Sequence, residues 1–132
     1  MLKVVENWRF VSILLTNLEI LDLARKADCN LIDPPADRAV TIESPPWTVT
    51  GNGYLINVSP HLHDGALNIK LFRNGELVCT SKAVYGGGAG AELNGEKWET
   101  ITSYEECSNP VKIKKGDTLK MTADYDLTKH RL

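Results

Sequence analysis

Residues 66–85 read ALNIKLFRNGELVCTSKAVY. Leu67, Ile69 and Leu71 alternate with Asn68, Lys70 and Phe72. That period of two is what a strand with one buried face requires. Arg73-Asn74-Gly75 then turns the chain, and Asn-Gly is the strongest short-range hairpin signal. Residues 76–85 form the return strand, which Gly86-Gly87-Gly88 ends.

The same grammar extends in both directions. Upstream, Tyr54, Ile56 and Val58 alternate with Leu55, Asn57 and Ser59. Asp33-Pro34-Pro35 and Ser44-Pro45-Pro46-Trp47 are stops, because proline fixes φ and removes a donor. Residues 38–43 between them are one strand. Downstream, Asn94-Gly95 marks a turn and 97–104 a further strand. Residues 111–114, a Lys115-Gly116-Asp117 turn and residues 118–125 read as a last hairpin, with Leu119, Met121, Ala123 and Tyr125 on its apolar face. Six or seven short strands with turn signals at this spacing predict a mainly all-β protein, an antiparallel β-sandwich or jelly roll. No βαβ alternation is present. Val11, Leu14, Leu15, Leu18 and Leu21 fall at helical spacing, which predicts a short N-terminal amphipathic helix, or a strand followed by one. The expected organisation is a single domain, with a helical and loop segment over 1–35 packed on a sandwich over 36–132.

Bulk composition narrows the partners. The chain has 132 residues, 15 Lys and Arg against 17 Asp and Glu, and a net charge of -2. That balance argues against a nucleic-acid footprint. No run nears the ~18 apolar residues of a membrane span. Residues 1–9 make a poor signal peptide, since Glu6 interrupts the charged region and no small-residue cleavage site follows. The 86–90 GGGAG run lacks the GK[ST] and the following helix of a phosphate loop. Asn57-Val58-Ser59 is a glycosylation sequon. No nucleophile-elbow motif exists.

Cys29, Cys79 and Cys107 are an odd set. If the strands carrying Cys79 and preceding Cys107 are neighbours, those two can bridge. Three buried free thiols are the other reading. No Cys-x-x-Cys supports a thiolate metal site.

Only three histidines occur, His61, His63 and His130. On an extended strand, residues i and i+2 share a face, so His61 and His63 can converge on one ion. An antiparallel partner can bring His130, at the end of the last strand, beside them. Three imidazoles suit copper or zinc with an open position. Asp64 and Asp126 are placed to orient imidazoles from behind. Histidines at strand ends also serve simply as hydrogen-bonding groups. A cupin is excluded, because positions 67 and 68 are Leu and Asn and no Gly precedes His61 at the required distance.

The segments HLHDGALNIKLFRNGELVCTSKAVYGG and ECSNPVKIKKGDTLKMTADYDLTKHRL resemble fungal and plant proteins related to stress-upregulated nodulins. They also resemble the C-terminal domain of copper type II, ascorbate-dependent monooxygenases. That superfamily includes the peptide-N-glycosidase F fold, which implies a jelly-roll sandwich. The monooxygenases hold their oxygen-binding copper with a His-x-His and a Met. His61 and His63 match the pair, whereas Met121 belongs by pattern to the core, and His130 takes the third place. The resemblance also implies a Cys79–Cys107 disulfide and a secretory origin. The monooxygenases use two copper domains, and this chain has room for one. It is therefore expected to be a fragment or shortened relative without full oxygenase activity alone, with Cys29 left unpaired.

The function expected is that of a copper-binding sandwich, with zinc as the alternative ion, acting on a small-molecule substrate or ligand. The competing reading is a metal-free binder of a small molecule or glycan, or a cyclase of fungal secondary metabolism. Trp47, Trp98, Tyr85 and Tyr104 would then line its cleft. A non-catalytic module is the third.

Overall fold

The computed structural model describes residues 13–14, 34–55, 62–86, 92–93, 95–97, 99–107 and 109–130. They form eleven strands and no helix: β1 Ile13–Leu14, β2 Ala39–Glu43, β3 Trp47–Thr48, β4 Gly53–Leu55, β5 Ala66–Arg73, β6 Glu76–Tyr85, β7 Glu92–Leu93, β8 Glu96–Lys97, β9 Ile101–Tyr104, β10 Val111–Ile113 and β11 Thr118–Asp126. One sheet runs β2-β11-β5-β6-β9, with β3 also on β11. A second runs β1-β4-β10, and β7 pairs with β8. All pairings are antiparallel.

The β5–β6 hairpin forms as the sequence dictates. Asn74 and Gly75 have φ of 52° and 84°, and Arg73 faces Glu76. Two consecutive positive φ values make the type I′ turn whose twist matches the flanking strands. Asn74 then does a second job. Its side chain donates to Asp117 Oδ1 at 2.9 Å and accepts from the Thr118 amide at 2.8 Å, which fastens the hairpin to the start of β11.

The core lies between the two sheets. Leu55 and Ile113 from the small sheet pack with Val49, Leu71, Cys79 and Leu119. Burying each such aliphatic side chain is worth about 1.5–3 kcal/mol. A second cluster continues over the large sheet and joins Ile42, Leu62, Ala66, Ile69, Ala123 and Tyr125. Met121 packs against both, which confirms it as a core residue. The result is the all-β antiparallel sandwich.

Three local expectations change. Residues 111–114 and 118–125 are not a hairpin. β10 pairs with β4, and β11 pairs with β5, so the 115–117 turn crosses from one sheet to the other. The physical reason is the core, which takes Ile113 and Leu119 from opposite sides. Residues 97–104 are not one strand either. Lys97 finds its partner in β7, whereas Ile101–Tyr104 finds its partner in β6. Third, the simple alternation of β5 breaks at Leu67. The register slips there, so that Tyr125 faces Ala66, and Ala66 is the fully buried residue. A bulge of this kind re-aims side chains near a strand end. Of the N-terminal stripe only Leu14 is described, in the short strand β1 on β4, and the predicted helix lies outside the described residues.

The outward face of the large sheet is polar and cross-linked. Asp124 accepts from Thr41 Oγ1 at 2.6 Å and from Lys70 Nζ at 2.7 Å. Burial alone would raise the Asp124 carboxyl, but these bonds, with Asn68, outweigh it and hold the group below the usual carboxylate range. Lys120 pairs with Glu43 at 2.6 Å nearer the solvent. Cys79 and Cys107 form a disulfide with Cα atoms 5.9 Å apart, closing a sequence separation of 28 residues. Cys79 is buried in the first cluster and Cys107 packs against it.

Two measurements follow from this packing. The double substitution Cys79→Ser, Cys107→Ser should lower stability by about 3–4 kcal/mol, the loop-closure value for this separation. An unchanged urea midpoint would contradict it. Asp124→Asn should cost about 1–2 kcal/mol at neutral pH. Because the folded carboxyl titrates below its unfolded value of ~3.9, its stabilisation is present above that pH and lost as pH falls through the folded value. The gap between wild type and Asp124→Asn should therefore close in acid. A gap that stays constant down to pH ~2 would assign the effect to shape rather than charge.

Candidate functional site

The candidate site is built from two turns at one end of the large sheet. The first is His63-Asp64-Gly65-Ala66, where the Ala66 amide donates to the His63 carbonyl at 3.2 Å. Gly65 has φ of 95°, as the third position of a type II turn demands. The second follows β11. The Lys129 and His130 amides both donate to the Asp126 carbonyl at 3.1 Å. Asp126 Oδ1 accepts from the Thr128 amide at 3.1 Å and from its hydroxyl at 2.6 Å, an Asx-type closure. The Thr128 bonds hold the Asp126 carboxyl below its ordinary range.

The turns touch directly. The Asp126 amide donates to the Gly65 carbonyl at 2.8 Å. A Cβ placed on Gly65 would collide with Cδ2 of Leu127 and stand 3.3 Å from the His130 carbonyl oxygen. No side chain fits between the segment that carries His63 and the one that carries His130.

Two tyrosines hold the first turn from the side. The Tyr85 hydroxyl accepts from the Gly65 amide at 2.9 Å and donates to the Ala66 carbonyl at 2.8 Å. The Tyr104 hydroxyl accepts from the Leu62 amide at 2.9 Å and donates to the Leu62 carbonyl at 2.7 Å. Asp64 Oδ1 accepts from the Ile101 amide at 2.8 Å. A phenol must be protonated to donate and accept at once. Burial, with the nearby Asp64 charge adding to it, pushes both phenols up and keeps them neutral. The Tyr85 ring also lies flat on the His130 imidazole, with centroids 3.6 Å apart and planes at 4°.

Set against the sequence reading, His63 and His130 both sit on turns rather than strands. Residues 62 and 63 precede β5, and β11 ends at Asp126. Local hydrogen bonding explains the second case, since the Asp126 side chain favours the turn. His61, like Trp98 and the 57–59 sequon, lies outside the described residues. Asp64 and Asp126 serve backbone amides at this end of the sheet. Among the described residues no three His, Cys, Asp or Glu side chains are grouped to hold a metal. The tyrosines do not gather with Trp47 into a cleft. Trp47 packs on the first core cluster and Tyr104 on the second. The clamp itself escapes a sequence reading, because nothing in strand periodicity distinguishes a tyrosine that caps a distant turn from one that fills a core.

Comparison with known proteins matches the family model for stress up-regulated Nod 19 over residues 25–131. The chain belongs to this family. Within the curated proteins it is 30% identical over 107 residues to a probable copper-dependent oxygenase of Cochliobolus lunatus. That match covers 80% of this chain and 33% of the relative. It is 31% identical over 106 residues to a probable copper-dependent oxygenase of a Phoma species, covering 79% of this chain and 26% of the relative. The chain thus spans about a third or less of the length of these relatives. No solved structure matches it significantly.

Gly65 leaves no room for a Cβ beside the Leu127 side chain. Gly65→Ala should destabilise the protein by about 2–4 kcal/mol, combining positive-φ strain with overpacking against Leu127. Equilibrium urea unfolding measures this, and a loss under ~0.5 kcal/mol, the size of an ordinary surface change, would refute the close-approach argument.

Proposed function

We propose that this chain is a copper-binding β-sandwich domain, with His61, His63 and His130 as ligands, in a copper-dependent oxidation of a small-molecule substrate. The observation that carries the reading is the seam at Gly65, which sets the His63 turn against the backbone of His130. The relatives' names add the metal. Imidazole donors suit copper and also zinc. Two of the proposed donors come from adjoining turns, and the third, His61, stands two residues before His63 in sequence. Copper supplies one-electron and oxygen chemistry when bound. The chain's own part is to fix imidazoles on a rigid end of a sheet and keep the turn amides satisfied. We read full oxygenase activity as needing more of the relatives than the matched region.

A secretory route is part of the same proposal. The disulfide suits an oxidising compartment. No helix among the described residues is long and apolar enough to cross a membrane.

Titrating the purified chain with Cu(II) should give one equivalent of bound copper, with nitrogen hyperfine structure in its EPR spectrum. A His61→Ala, His63→Ala variant and a His130→Ala variant should each lose more than about ten-fold in affinity, since even changes behind metal ligands cost that much. Unchanged copper uptake in both variants would sink the assignment. Displacement of copper by equimolar zinc would assign the site to zinc.

A further inference from the structure

We infer that Tyr85 is a positioning residue that holds the two histidine-bearing turns in one arrangement, through its hydroxyl on the His63 turn and its ring on His130. Its consequence for the metal rests on the copper reading above, but the geometry stands without it.

From outside the two turns, the Tyr85 side chain meets both. Its hydroxyl bridges the Gly65 amide and the Ala66 carbonyl, which fixes the exit of the His63 turn. Its ring lies parallel to the His130 imidazole at 3.6 Å. A flat stack restrains rotation of the imidazole about its Cβ–Cγ bond and does not itself engage either ring nitrogen. Tyr104 differs from it. Its hydroxyl closes on Leu62 alone, and its ring packs into the second core cluster.

Preorganisation is the expected gain. A ligand ring already held in place loses little rotamer freedom on binding, and the saving per side chain corresponds to about a two- to ten-fold gain in affinity. Position rather than chemistry is the claim, so Tyr85 itself donates nothing to the ion.

The test separates ring from hydroxyl in the full chain. In copper-free wild type, the His130 ring protons should show an upfield ring-current shift. Tyr85→Phe should keep that shift, while the Gly65 amide exchanges faster with solvent. Tyr85→Leu should lose the shift. With Cu(II) as the probe, Tyr85→Leu should bind about three- to ten-fold more weakly and lose one nitrogen from the EPR hyperfine pattern. Tyr85→Phe should retain that nitrogen.

Wild-type affinity and nitrogen count in Tyr85→Leu would overturn the role. If Tyr85→Leu shows no cooperative unfolding transition, Tyr85→Phe decides alone, and unaltered Gly65 exchange in it overturns the role. If wild type takes up no copper, the copper reading fails. The ring-current shift and Gly65 exchange then still decide whether Tyr85 holds both turns.

Discussion

Antiparallel pairing of β5 with β11 is the constraint on which the rest of this structure depends. Its register runs from Leu119 opposite Arg73 to Tyr125 opposite Ala66. One end of the pair must therefore gather the start of β5 and the end of β11, and the other end must gather the opposite termini. At the far end Asn74 binds the Asp117 side chain and the Thr118 backbone. At the near end the Gly65 carbonyl takes the Asp126 amide. The meeting of two histidine-bearing turns is thus a consequence of strand direction, and no loop has to reach for it.

That meeting creates a difficulty which the tyrosines resolve. Backbone amides and carbonyls in a half-buried loop need partners, because a buried group left unpaired costs about 1–3 kcal/mol. The segment 62–66 lies across the edge of the second core cluster, with Leu62 and Ala66 buried in it. Among the described residues no strand ladder includes residues 62–65. Two phenol hydroxyls supply four bonds instead, and Asp64 completes the network by taking the Ile101 amide. Loops that carry function are ordinarily the mobile parts of a fold. The 62–66 segment is held by side chains in place of a ladder.

What the sequence reveals follows from the range of each interaction. The β5–β6 hairpin is legible because Asn74-Gly75 and the alternating apolar residues act locally. The core role of Met121 is legible from the same alternation. The crossing at 115–117 is not, because turn chemistry reports that the chain reverses and not which sheet receives it. The bulge at Leu67 also escapes, since nothing in Leu67 itself states that Tyr125 will face Ala66. For the candidate site, residue identities single out His61, His63 and His130, of which the last two lie among the described residues, and the family resemblance anticipates the Cys79–Cys107 bridge. The placing of both histidines on turns depends on hydrogen bonds from Tyr85, Tyr104 and Asp126. The tyrosine contacts exist only once β5, β6 and β9 have assembled in one sheet.

Turn-borne histidines place a different demand on the fold from strand-borne ones. On a strand the pleat alone aims residues i and i+2 to one side. On a turn the aim is only as firm as the groups that fix the turn. For the His63 turn those groups sit on β6 and β9, which pair directly through Ala83 and Tyr104. The disulfide joins the same two elements, from Cys79 upstream of Tyr85 on β6 to Cys107 just after Tyr104. Ser81 adds a bond to the Glu105 carbonyl at 2.6 Å between them. The covalent bridge, the β6–β9 ladder and the two hydroxyls therefore form one continuous support that ends at the His63 turn. Oxidation of the cysteines stabilises the strands that carry the two hydroxyls.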